Sequence, residues 1–262
     1  MLAIELTHQR AVVSGVTSGI GAAIAEVLAQ AGCDVAGCGR RSIDSAGARA
    51  FIDSVERHGR KAVYVQADLA EKYAPKSFIQ EAADALGGID LLVSNAGRNV
   101  FEGAKDCSED AWEECMTLDL ASHWRLAQAA RPHLETAKPG VILIIGSNHA
   151  WGTIPGCFPY NVAKAGLLGM VQSLAIEWGP QIRTVGIAPG FIDTAGNQTW
   201  FDSFEDPVAE RTRTEKLHPV GRIGCVEEIG QLCAFLASPM AGFISGTTLC
   251  VDGGRSALMQ DS

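Results

Sequence analysis

Apolar runs of strand length alternate along the chain with longer segments of helical periodicity. Strands are expected near Ala11–Ser14, Asp34–Cys38, Ala62–Gln66, Asp90–Ser94, Val141–Gly146, Thr184–Ala188 and Thr248–Val251. These runs are nearly continuous in hydrophobicity, which suits strands covered on both faces of a parallel sheet. Parallel neighbours need crossover helices, and such crossovers are right-handed. The pattern predicts an α/β fold: a doubly wound, Rossmann-like parallel sheet of seven strands with helices on both faces. No repeat, low-complexity stretch or linker interrupts it, so residues 1–262 read as a single domain.

Two further segments stand out. The stretch from about Ile192 to Val220 reads as long and irregular, with Trp200, Phe201 and Phe204 among many charges. It follows a strand's carboxyl end, where ligands bind in such sheets, and is expected to be a substrate lid. The segments Trp112–Arg131 and Tyr160–Trp178 are apolar on more than one helical face, which suggests a second buried contact besides the sheet.

Candidate chemistry begins at the first strand. Gly15-Val16-Thr17-Ser18-Gly19-Ile20-Gly21 separates it from a helical segment, and strand, glycine turn, helix is the context of a dinucleotide site. Glycines let backbone N–H groups approach a pyrophosphate at the positive end of the helix. Much further on, Tyr160 and Lys164 lie four apart on one helix face, with Ser147 thirteen residues before the tyrosine. A phenol can exchange a proton with an alcohol or carbonyl oxygen, but its unperturbed pKa is about 10. Working near neutral pH requires about 4 kcal/mol in favour of the phenolate. One cation about 4 Å away supplies about that much at an effective dielectric near 20.

These motifs, in this order, resemble the short-chain dehydrogenase/reductase family. The resemblance runs across nearly the whole chain. It includes Ser14-Gly15 with Gly19-Ile20-Gly21, Asp68-Leu69, Asn95-Ala96-Gly97, Ser147, Tyr160 with Lys164, Pro189-Gly190 with Thr194, and Val251-Asp252-Gly253-Gly254. It implies that Tyr160 is the general acid/base, that Lys164 lowers its pKa and binds the nicotinamide ribose, and that Ser147 orients the substrate oxygen. It also places Gly15, Ser18, Ile20 and Gly21 along the cofactor phosphates, Asp68 and Leu69 at the adenine, and Asn95 and Ala96 near the adjoining ribose. Pro189, Gly190, Ile192 and Thr194 are expected to border the nicotinamide. The family's asparagine that bends the following helix and holds a relay water corresponds to Asp119, seven residues after Trp112. That departure bears on the proton relay. The two helices apolar on several faces build a subunit interface in the family, which implies a homotetramer or homodimer.

Cofactor choice turns on the end of the second strand. The sequence there, Gly37-Cys38-Gly39-Arg40-Arg41, lacks the carboxylate that would accept from the ribose hydroxyls of NAD. A bare glycine leaves room for a 2′-phosphate, and Arg40 or Arg41 can pair with it, so NADP is favoured and NAD remains the alternative. His149, Trp151 and Trp200, with Ser147 and Tyr160, are candidate substrate contacts, and Arg98 and Arg213 are candidate receivers of an anionic group.

Composition narrows the function classes. A net charge of −9 and no basic run argue against a nucleic-acid partner. The apolar runs are far shorter than a membrane span, and no secretory leader is apparent. Eight cysteines without a C-x-x-C spacing suggest free thiols in a reducing cytoplasm. No histidine cluster suggests a metal. The expected activity is an NAD(P)(H)-dependent interconversion of a ketone or aldehyde with an alcohol, on a small molecule such as a sugar, polyol or cyclic alcohol. A 3-oxoacyl-carrier reductase and a non-catalytic nucleotide-binding regulator are the alternatives.

Overall fold

The computed structural model describes residues 4–137 and 139–258. Its sheet is built on β1 (Arg10–Ser14), β2 (Asp34–Gly39), β3 (Ala62–Gln66), β4 (Leu91–Ser94), β5 (Gly140–Ile145), β6 (Ile182–Pro189) and, much later, β9 (Thr248–Val251). All pairings are parallel, in the order β3-β2-β1-β4-β5-β6-β9. The expected seven-stranded doubly wound sheet is therefore present, with strand limits within two residues of those read from the sequence.

Alternate residues of each strand feed opposite cores. Val141, Leu143 and Ile145 of β5 face one cluster, and Ile142 and Ile144 face the other. The first cluster is closed by α1 (Gly19–Gln30), α2 (Ala46–Glu56) and α9 (Val226–Ala237), through Ile24, Leu28, Phe51, Ile229 and Leu236. The second is closed by α3 (Ala74–Leu86), α5 (Ser122–Leu134) and α6 (Tyr160–Trp178), through Phe78, Ile79, Leu126 and Leu167. Full burial of such side chains contributes about 1.5–3 kcal/mol each. This two-sided burial is why the strands read as unbroken apolar runs.

Chain order reverses direction between β1 and β4, and ligand crevices form at the carboxyl ends of strands at such a switch. Here the two strand ends are tied together. Ser14 Oγ accepts from the N–H groups of Asn95 (2.9 Å) and Ala96 (3.0 Å), and Asn95 Nδ2 donates to Ser14 O (2.9 Å). At the opposite end, Arg10 forks onto Asp90 (2.7 and 2.8 Å) and fixes where both strands begin.

The segment Ile192–Val220 differs from expectation. It is not irregular: β7 (Ile192–Asp193) pairs with β8 (Gly224–Cys225), and α7 (Ala195–Asp202) and α8 (Pro207–Lys216) lie between them. Helix α8 has no apolar stripe to reveal it. It forms on local chemistry: Asp206 caps the Ala209 N–H, Pro207 opens the helix, and Arg213–Glu210 and Arg211–Glu215 pair along its surface. Among the described residues, no helix is long and apolar enough to cross a membrane.

Candidate active site

The glycine turn after β1 is shaped by close approach. Gly15 holds φ +76°, and a Cβ on Gly21 would collide with the carbonyl oxygen of Gly15 and lie 2.5 Å from Asn95 Nδ2. Ser18 occupies the N-cap of α1 with extended backbone and makes no capping hydrogen bond to its own helix. The first-turn N–H groups and the Ser18 hydroxyl thus remain available to an anion. Thr194 approaches the turn from across the crevice, with its methyl 3.6 Å from where a Gly19 Cβ would stand. The Thr194 hydroxyl caps α7 by accepting from Asn197 N–H at 3.2 Å. Ile192 is buried, and Pro189 and Gly190 pass against Asp252, whose Cβ leaves no room for a side chain at Gly190.

At the ends of β2 and β3, a cavity of about 540 Å³ is lined by Arg40, Val65–Asp68, Glu71 and the start of α3. Its position between the ends of β2 and β3 suits an adenosine. Asp68 faces this cavity, whereas the Leu69 side chain is 3% exposed and packs into the second core. Leu69 is thus part of the wall's support, not an open side-chain contact. The glycine fold and this cavity fit a nicotinamide dinucleotide. Arg40 and Arg41 are exposed, and among the described residues neither has a carboxylate within ion-pairing distance. Gly39 has a packing explanation that the sequence did not disclose. A Cβ there would lie 2.6 Å from Thr17 Cγ2 and 2.8 Å from the Tyr64 hydroxyl, which donates to Arg41 O at 2.7 Å.

At the other end of the crevice, β5 delivers Ser147 and α6 delivers Tyr160 and Lys164. Ser147 is the extended N-cap of a short 3₁₀ turn and accepts from the His149 N–H at 3.2 Å. The Lys164 ammonium sits 5.3 Å from the Tyr160 ring centroid and 3.1 Å from Asp119 Oδ1, and the Asp119 and Lys164 side chains are withdrawn from solvent. Asp119 reaches this point because the helical run from α4 (Glu109–Met116) to α5 widens into a π turn over Thr117–Ala121. Its carboxylate also accepts from the Arg98 N–H at 3.1 Å.

The charges act on one another. For Lys164, burial disfavours the cation, but the Asp119 carboxylate, and Tyr160 once it is ionised, outweigh it and raise its pKa, so the ammonium persists. Burial pushes the Tyr160 phenol up from its ordinary value. The Lys164 charge and a Ser147 hydrogen bond oppose this, and Asp119 adds to the rise. Lys164 pulls the phenol down, while burial first, and Asp119 after it, carry the net direction upward.

Aromatic rings surround the phenol. Phe101 meets Tyr160 edge-on at 5.3 Å, and the His149 ring stands 6.1 Å away with its Nδ1 3.1 Å from Thr153 Oγ1. Burial, with help from Arg255, holds His149 below its ordinary pKa and therefore neutral at physiological pH. Trp151 is exposed on the same loop. Trp200 instead packs tilted or edge-on against Phe191, Phe201 and Phe204. The two candidate anion receivers are already paired, Arg98 with Glu114 at 2.5 Å and Arg213 with Glu210 at 2.6 Å. The bridge Phe101–Pro159 brings Phe101 to the site from far along the chain.

A family model described as enoyl-(acyl carrier protein) reductase matches residues 15–256. A 3beta-hydroxysteroid dehydrogenase of Eggerthella lenta is 34% identical over 254 residues, covering 96% of this chain and 95% of its own length. The solved structure of a putative short-chain alcohol dehydrogenase from Sinorhizobium meliloti superposes with a TM-score of 0.91 at 33% identity, covering 98% of this chain and 100% of that one. A Burkholderia cenocepacia short-chain dehydrogenase solved in complex with NADP has a TM-score of 0.85 at 31% identity, covering 96% of this chain and 99% of that one. The chain belongs to the short-chain dehydrogenase/reductase family. It is an NAD(P)(H)-dependent oxidoreductase that interconverts a carbonyl compound and an alcohol.

Proposed function

We propose that the enzyme reduces an uncharged ketone or aldehyde with NADP(H), with Tyr160 as the proton donor. The observation that carries this reading is the set of Ser147, just after β5, with Tyr160 and Lys164 on α6, the phenol ring 5.3 Å from the Lys164 ammonium. A bound nicotinamide supplies a hydride to the carbonyl carbon in reduction and takes it back in oxidation. Ser147 holds the substrate oxygen against the phenol. Tyr160 gives its proton to that oxygen as the C=O bond becomes C–OH, and the resulting phenolate lies beside the Lys164 ammonium. Gly15, Ser18, Ile20 and Gly21 would hold the phosphates, with Asp68 at the adenine cavity and Asn95 and Ala96 at the ribose. Leu69 supports that cavity from behind. Pro189, Gly190, Ile192 and Thr194 would border the nicotinamide.

The NADP preference rests on Arg40 and Arg41, which are exposed and free to meet a 2′-phosphate. An uncharged substrate is favoured by the rings of Phe101 and His149 around the phenol and by the prior pairing of Arg98 and Arg213. We place a substrate lid on α7 and α8, with Trp200 and Trp151 at the rim of the pocket. Helix α6 exposes Ile176 and Val162 beside Ala165, Gly166 and Gly169, a flat surface suited to a second copy in a homodimer or homotetramer. The eight free cysteines suit a cytoplasmic protein. Turnover of reduced cofactor against a panel of cyclic ketones, sugars, aliphatic aldehydes and 3-oxoacyl thioesters tests the reading. Activity confined to anionic 3-oxoacyl thioesters would replace the proposed substrate class.

A further inference from the structure

We propose that Asp119 is a positioning residue that neutralises the Lys164 ammonium and thereby keeps Tyr160 a phenol through neutral pH. This rests on the reading of Tyr160 as the proton donor.

The geometry is that of a closed pair. Asp119 Oδ1 lies 3.1 Å from Lys164 Nζ, and the Arg98 N–H donates to the same carboxylate. Asp119 is fully buried, and the backbone of Gly97 presses on the pair so closely that a Cβ there would lie 2.5 Å from Asp119 Oδ1 and 3.2 Å from Lys164 Nζ. A neutral amide at this position would leave the ammonium's full charge facing the phenol. A carboxylate cancels much of that field, and a proton donor then retains its proton.

The other groups around the pair do not restore the field. On α4, burial pushes the Cys115 thiol up to about 12, so it is uncharged at neutral pH. On α5, burial and the Lys164 charge hold His123 well below its ordinary value, so it too is neutral. His149, from the loop after β5, is likewise held low. The Arg98 guanidinium is turned away to Glu114. Ile144, Leu167, Leu168, Val171 and Ala188 carry no titratable group. Among the described residues, Asp119 is the one carboxylate paired with Lys164.

The test is the titration of Tyr160 itself, read from tyrosinate absorbance as the full-length wild type minus Tyr160→Phe, and repeated in the Asp119→Asn background. Wild type should form the phenolate only in the alkaline range, near or above the free phenol's value of about 10. Asp119→Asn should lower the midpoint by about one pH unit or more, giving at least about tenfold more phenolate at a given pH below it. A wild-type phenolate forming through neutral pH overturns the proposal, even if Asp119→Asn fails to fold. An equal midpoint in Asp119→Asn and wild type overturns it as well. The titration does not depend on turnover. Undiminished activity of Tyr160→Phe would refute the catalytic reading of Tyr160, whatever the titration shows.

Discussion

Lys164 and Asp119 form a buried ion pair at 3.1 Å, one helix turn behind the hydroxyl-bearing Tyr160. Such a pair is stabilising only while both members are present. Removing one leaves an uncompensated charge, at a cost of about 3–5 kcal/mol, whereas replacing both by apolar groups of similar volume is often neutral. Lys164→Met should therefore lower stability by about that amount in denaturant unfolding. Lys164→Met with Asp119→Leu should recover most of the stability and none of the activity. A double variant no more stable than the single one would show that the two residues do not act as a pair.

His123 predicts an acid limb of stability. Its ring is fully buried, with Nδ1 2.7 Å from Ser94 Oγ, and its pKa is held well below the ordinary value of 6.5. The unfolded chain gains a proton near that value that the folded protein does not take up. The contribution is thus fully present above about pH 6.5 and falls as pH drops, by up to about 1.4 kcal/mol per pH unit. Denaturation midpoints between about pH 7 and about pH 5 should fall more steeply for wild type than for His123→Asn. Parallel curves would locate the acid sensitivity elsewhere.

The arginines after β2 predict cofactor selectivity. Hydrogen bonds to charged groups contribute about 1.5–3 kcal/mol net, or about 10- to 150-fold in affinity. Arg40→Ala with Arg41→Ala should weaken NADP(H) by about that factor and leave NAD(H) nearly unchanged, as read by nicotinamide fluorescence. A wild type that prefers NADH would reduce both arginines to surface charges.

Neighbouring aromatics on α7 should separate by role. Phe201 is 2% exposed and Trp200 is 40% exposed. Phe201→Ala should cost about 3–5 kcal/mol of stability. Trp200→Ala should change KM for the carbonyl substrate with little effect on melting temperature. The reverse pattern would remove Trp200 from the substrate pocket.

How much of this was legible in the chain depends on the kind of force involved. Strands buried on both faces announce themselves, because nearly every position must be apolar; β5, buried throughout, was read to within one residue at each end. The crossing of Ser147, Tyr160 and Lys164 was legible because two of the three lie on one helix face. Helix α8 was not, since its side chains are polar all round and it forms on caps and ion pairs instead of a stripe. The π turn over Thr117–Ala121 leaves no periodic signature either, so Asp119 could be noted as unusual but not paired with Lys164. Gly39 shows the opposite hazard. Its missing carboxylate invited a reading about the cofactor, yet Thr17 and Tyr64 crowd that position for reasons of packing alone. The cofactor argument therefore stands on the arginines.

Turnover of Tyr160→Phe tests the central claim most directly. The substitution removes one hydroxyl and keeps the ring against Phe101 and Lys164. Activity with reduced cofactor, on the carbonyl compound that wild type turns over best, should fall by about 10²–10⁴-fold, while cofactor affinity by nicotinamide fluorescence stays near wild type. Activity within about threefold of wild type, against the loss expected of a positioned acid, would contradict the assignment of Tyr160 as the proton donor.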